Sequence, residues 1–71
     1  MNFSEKIELL NQVKSSLMKE IYKKCIESGI NPDTFDYKLY ANSTNEPVVQ
    51  GSLAAHCYKL VVVNQKIQEL Q

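Results

Sequence analysis

The stretch LAAHCYKLVVV, residues 53–63, decides how this chain of 71 residues folds, because it is apolar almost all the way round. A helix that packs on one neighbour needs an apolar stripe only about 100° wide. One seam with alternating steps of four and three residues, as in a left-handed coiled coil, comprises Val49, Leu53, His56, Leu60, Val63, Ile67 and Leu70. A second flank, roughly a quarter turn or more away, comprises Ala54, Cys57, Tyr58, Val61 and Val62. This second flank needs a cover, either another element of the same chain or another protein.

Residues 3–28 are predicted to form one long helix, because no glycine or proline interrupts them and apolar residues recur at steps of three and four. Asn2 is the expected N-cap, with Glu5 as its capping-box partner, and Ser4 is a competing cap. The main apolar stripe comprises Ile7, Leu10, Val13, Leu17, Ile21 and Cys25. A further apolar edge, with steps of four residues, comprises Met18, Tyr22 and Ile26.

The segment that follows carries a stop signal and then a start signal. Gly29 is the natural left-handed residue after a helix, and Ile30 can fold back on the last turn. The NPD run at 31–33 favours a short helix over residues 32–41, since Asn caps, Pro fits the first helical position and Asp suits the positive first turn. Its apolar side would carry Phe35, Leu39 and Tyr40. A strand over residues 37–40 is the alternative.

The last helix is predicted to begin between Glu46 and Ser52 and to run to Leu70. Pro47 suits a first helical turn, whereas Gly51 and Ser52 favour a later start with Ser52 as the cap. Residues 41–45 have the composition of a loop. Two long helices joined by a connection that turns back pack antiparallel. We therefore expect residues 1–71 to form one all-α domain, an antiparallel helical hairpin of two long helices with a short middle helix.

In such a hairpin the two extra apolar flanks meet at the loop end and form one composite patch. The middle helix could cover this patch, but its three apolar side chains can cover only a part of it. Leaving large side chains uncovered forfeits about 1.5–3 kcal/mol each, so association with a partner is expected. The predicted partner-binding residues are Met18, Tyr22, Ile26, Ala54, Cys57, Tyr58, Val61 and Val62.

Composition argues against several other kinds of partner. Cationic and acidic side chains number eight each, the formal net charge is zero, and every cation is a lysine. Nucleic-acid interfaces usually need a clustered basic face with bidentate arginines, and surface-bound membrane helices also need clustered cations, so we expect neither. No run approaches the ~20 apolar residues of a membrane-spanning helix. Charges at residues 5, 6, 8 and 14 argue against a signal peptide, so we expect a cytoplasmic protein.

The residues that could carry chemistry are few. Cys25 and Cys57 are expected to be free, buried thiols that act as small hydrophobes in a reducing compartment, and a disulfide between them is the alternative. His56 precedes Cys57, but successive helical residues point about 100° apart, so the two do not form a Cys–His nucleophilic pair. The spacing also lacks the close ligand pairs of a zinc site. We expect no enzymatic activity, no metal and no cofactor, with His56 bonded to a neighbour or at the solvent edge.

A chain of this length with two long helices and a spare apolar face resembles the small co-chaperones of bacterial type III secretion. The resemblance covers residues 3–28, a turn and residues 47–70, and it is one of architecture. It implies a helical hairpin that pairs with a second, repeat-helix chaperone, the two together keeping a needle subunit soluble before export. The partner would then be a chaperone or a secreted subunit. A homo-oligomeric helical regulator or structural protein, in which the same seam pairs with a second copy, is the alternative.

Overall fold

The computed structural model describes residues 3–43 and 51–71, and within these ranges the chain is all-α. Helix α1 spans Phe3–Glu27, α2 spans Tyr37–Ser43 and α3 spans Leu53–Leu70. The two long helices α1 and α3 pack along each other, and α2 packs on α3. The start of α1 lies beside the end of α3, since Lys6 and Leu70 line the same cavity. The predicted fold class, an antiparallel helical hairpin with a short middle helix, is confirmed.

Helix α1 ends where the sequence predicts, in a Schellman motif. Gly29 has a φ of +74°, which is the left-handed region that glycine adopts without a steric cost. The amide of Gly29 donates to the carbonyl of Ile26 at 3.2 Å, and the amide of Ile30 donates to that of Cys25 at 2.8 Å. The Ile30 side chain packs back against the core, so the last carbonyls of the helix are satisfied while the chain reverses.

The middle helix begins later than predicted. The side chain of Asn31 accepts a hydrogen bond from the amide of Asp33 at 3.0 Å, and the Asn31 carbonyl accepts from the amide of Thr34 at 3.3 Å. This Asx turn satisfies the backbone locally, in competition with a helix. Asp36 is the actual cap, because its Oδ1 accepts from the amides of Lys38 and Leu39, both at 3.1 Å.

The later start changes which side of α2 is buried. Tyr37, Tyr40 and Ala41 lie one helical turn apart and face the core, together with Phe35, which precedes the helix. Leu39 was predicted on the covered side, but it is 64% exposed, because its place in the helix is almost opposite Tyr37. The loop predicted over residues 41–45 is wrong at its beginning, since α2 continues to Ser43.

Helix α3 begins at the later of the two predicted positions. Ser52 is its N-cap, with a φ of −77° and a ψ of 165°, and the Ser52 hydroxyl accepts from the amide of Ala55 at 3.1 Å. Gly51 before it has a φ of +82°. The predicted roles of Pro47 and Val49, and the Asn2 cap of α1, lie outside the described residues.

The core lies at the loop end of the hairpin, where all three helices meet. Its buried cluster comprises Ile21, Cys25, Ala41, Cys57 and Leu60. Of residues 3–20 and 61–71, Ile67 alone is buried. Val13, predicted in the core stripe of α1, is 47% exposed, because it lies at the edge of that stripe, on a surface between α1 and α3 to which α2 contributes no side chain.

Candidate protein-binding surfaces

The second flank of α3 is divided between the core and the solvent. Ala54 and Cys57 are buried, and Val61 is half-buried against the core. Tyr58 and Val62 are 38% and 51% exposed. The predicted composite patch is thereby corrected: Ala54 and Cys57 are buried within the chain and offer no surface to a partner.

Helix α2 can cover this flank because small side chains line the contact. Ala41 of α2 and Cys57 of α3 are both fully buried in the same cluster, and such short side chains allow two helix backbones to approach closely. The contact is fixed at its far end by a hydrogen bond that Asn64 Nδ2 donates to the hydroxyl of Tyr37. The sequence carries a signal for this bond, since Asn64 interrupts an apolar run seven residues after Cys57 and therefore lies on the same side of α3.

The edge of α1 formed by Met18, Tyr22 and Ile26 is exposed, at 51%, 52% and 57% respectively. We call it the Tyr22 surface. Met18 and Tyr22 line a cavity of about 140 Å³ that is also lined by Pro32, Phe35 and Tyr37. This surface therefore adjoins the connection between α1 and α2, and the structure does not bring it together with Tyr58 and Val62.

The other side of the hairpin carries a long groove between α1 and α3. Its two successive parts have volumes of about 510 Å³ and about 430 Å³. We call it the α1/α3 groove; its lining comprises Lys6, Leu9, Leu10, Val13 and Leu17 of α1 with Tyr58, Lys59, Val62, Val63, Lys66, Glu69 and Leu70 of α3. Each helix contributes one unbroken row about 17 Å long at 1.5 Å per residue. Tyr58 and Val62 thus share a surface with α1, although not with the predicted residues of α1.

Two of the exposed apolar residues that line this groove were not among the predicted partner-binding residues. Leu9 and Val13 are both 47% exposed, and they lie one helical turn apart on the groove side of α1. Their spacing of four residues was the available signal, since Leu9, Val13 and Leu17 form a row like that of Met18, Tyr22 and Ile26. The hairpin therefore presents an uncovered apolar row on each side of α1.

The two thiols belong to the core and not to either surface. Cys25 and Cys57 are free and fully buried, as predicted. Burial raises the pKa of both thiols; that of Cys57 rises to about 11, by burial first and then by the nearby Cys25 thiol. Because the thiolate is the nucleophilic form, both sulfurs remain protonated and unreactive near neutral pH.

His56 is occupied by its own helix. Its Nδ1 donates to the carbonyl of Ser52 at 2.8 Å, which places the proton on Nδ1 in the neutral ring. The same carbonyl accepts from the amide of His56 at 3.1 Å. The ring therefore reinforces the first turn of α3, in agreement with the predicted bond to a neighbour.

Comparisons with known proteins add no relative: no family model, curated protein or solved structure matches this chain. Within residues 3–43 and 51–71, no three His, Cys, Asp or Glu side chains are grouped so that they could hold a metal ion. None of the helices α1, α2 and α3 combines the length and apolar character needed to cross a bilayer. Exposed apolar side chains and the cavities beside them make the Tyr22 surface and the α1/α3 groove the candidate sites.

Proposed function

We propose that this chain is a protein-binding helical module that captures another protein through an apolar side of its hairpin. The observation that carries the proposal is the α1/α3 groove, in which Leu9, Val13 and Val62 are each about half exposed. Single exposed apolar side chains are ordinary on a protein surface, whereas a contiguous row of them is typical of an interaction site.

The energetics favour a partner over solvent for this groove. Complete burial of a Val or Leu side chain contributes about 1.5–3 kcal/mol relative to full exposure, so the three half-exposed side chains leave a few kcal/mol to be gained. Small domains have little stability from their own core. Contact with another protein would both bind and stabilise this chain.

The narrower form of the proposal is a secretion co-chaperone that pairs with another chaperone or with a secreted subunit and keeps that cargo soluble. Its support is the shared architecture of two long antiparallel helices with an uncovered apolar side. In this form the groove would be occupied in the complex, and the free chain would be the less stable state.

Val62→Asp is the variant that tests the proposal, with Leu39→Asp as its matched control. Both side chains are more than half exposed, at 51% and 64%, so both variants should keep the helical circular dichroism of the parent. Val61→Asp is a poorer test because Val61 packs on the core. Used as baits in the native cell extract, the parent and Leu39→Asp should retain one stoichiometric partner that Val62→Asp loses.

The homo-oligomeric alternative is distinguished by sedimentation of the pure protein. A defined dimer or tetramer of the parent at micromolar concentration, reduced to a monomer by Val62→Asp, would replace the hetero-partner with a second copy. A monomeric parent whose bait retains the same proteins as Val62→Asp would contradict the proposal altogether.

A further inference from the structure

The shape of the α1/α3 groove matches one kind of secondary structure. Its two walls are antiparallel helices, and its rows on α1 and α3 are each about 17 Å long, which corresponds to about 11 helical residues at 1.5 Å per residue. A third helix laid between two others inserts its ridges into such a groove. Anchors at spacings of three and four residues are the usual way in which an amphipathic helix fills it.

The lining of the groove has a net positive charge. The charged side chains in its lining are Lys6, Lys59, Lys66 and Glu69. Lys66 Nζ lies 3.8 Å from Glu69 Oε2, so that pair is already matched and the other two lysines define the excess charge. Glu20 and Lys24 follow one and two turns beyond Leu17 and contribute opposite signs.

The same excess disfavours a second copy as the occupant. A dimer made groove to groove would bring the lysines of both chains into one apolar interface, and the only carboxylate in each lining, that of Glu69, is already paired with Lys66. Like charges brought together across an interface are repulsive and select against the wrong partner. An occupant with acidic residues beside its apolar stripe would instead pair with Lys6 and Lys59.

We infer that the partner element of the α1/α3 groove is an amphipathic helix of about three turns whose apolar stripe is flanked by Glu or Asp. This inference rests on the proposed function and names the chemistry of the partner at that same site. The apolar anchors contact Leu9, Val13 and Val62, and the acidic flanks lie against the lysines of the rim.

Two synthetic helices test the inference directly. Both are stapled peptides of about 14 residues with leucines at i, i+3, i+4 and i+7 spacing; one carries Glu at the flanking positions and the other carries Lys there. Fluorescence anisotropy with the full chain at about 50 mM NaCl should give an affinity about tenfold higher for the acidic peptide, as expected for a few exposed ion pairs. The difference should shrink at about 500 mM NaCl, where charges are screened.

Variants of the chain locate the binding. Val62→Ser should lower the affinity for the acidic peptide, and Leu39→Ser should not. The double variant Lys6→Glu with Lys59→Glu should reverse the preference between the two peptides. Each of three outcomes would overturn the inference: equal affinities of the two peptides at low salt, peptide binding that Val62→Ser leaves unchanged, or no binding of the acidic peptide. If the acidic peptide fails while capture of the native partner still depends on Val62, the helix inference is wrong and the proposed function stands. If that capture is also independent of Val62, both are wrong.

Discussion

At the scale of single residues, the two thiols show how burial without a polar partner affects an ionisable group. Cys57 is fully buried in an apolar cluster, and its pKa is raised to about 11 from an ordinary value of 9.0. The protonated thiol is therefore the form that the folded state stabilises. The unfolded chain releases this proton near pH 9, whereas the folded chain keeps it until near pH 11.

The sign of the resulting pH dependence follows from this difference. The stabilisation is complete below about pH 9 and is lost as the pH rises through the folded pKa, since the unfolded state then gains by ionising. Between pH 8 and pH 10 the free energy of unfolding should fall by about 1 kcal/mol through Cys57 alone. Urea unfolding at the two pH values measures the fall.

Cys57→Ala is the control for this pH effect. For this variant, the fall in the free energy of unfolding between the two pH values should be smaller than that of the parent by the contribution of Cys57. The fall should not be zero, because burial also raises the pKa of Cys25. All other side chains are common to both proteins, so their contribution cancels in the comparison. An identical fall in the parent and the variant would contradict the assignment.

Residues near the middle of an apolar stripe were predictable from the sequence, and residues at its edges were not. Ile21 and Leu60 are buried as their seams require. Val13 fits the same stripe by spacing, yet it is half exposed, because a stripe has a width and neighbouring elements decide where its edge is covered. The burial of Cys57 likewise depends on α2, and the apolar spacing of α3 alone does not specify which side of α3 the helix α2 covers.

At the scale of elements, caps decide where the short helix begins. Asn31 and Asp36 are both good cap residues by type, but Asn31 closes an Asx turn and Asp36 accepts from two amides of α2. The end of α1 and the start of α3 follow from sequence signals, namely Gly29 and Ser52. The choice between two plausible caps requires the tertiary contacts of the residues that follow each one.

Asp36→Ala tests this capping role, and Asp33→Ala is its matched control. The first variant removes the acceptor of two amide hydrogen bonds and should lower the free energy of unfolding by about 1 kcal/mol. The second removes an exposed carboxylate of the preceding turn and should change it by less than about 0.5 kcal/mol. Urea unfolding measures both. Equal losses, or a larger loss for Asp33→Ala, would show that α2 is capped differently.

At the scale of the whole molecule, the packing is uneven along the hairpin. The buried cluster lies where α2 meets the long helices, whereas Ile67 is the only buried residue in residues 3–20 and 61–71. The overall hairpin was predictable, because it depends on long periodic segments and strong breakers. The division of its apolar surface into two separate sides was not, because it depends on which side α2 occupies.

Hydrogen exchange should reveal this gradient. Amides of residues 21–25 and 57–60 lie in or beside the cluster and should exchange only with global unfolding, whereas those of residues 7–10 and 66–69 should exchange by local opening. Exchange followed by NMR in the free chain measures both groups. Uniform protection along α1 and α3 would contradict an uneven core.

The position of the core has a consequence for how binding and folding are linked. The end of the hairpin at α2 has its own buried cluster, whereas the opposite ends of α1 and α3 bury little apolar surface between them. A partner helix bound between these ends would extend the cooperatively folded unit along both long helices. Binding would then complete the folding of this chain as well as cover its apolar surface.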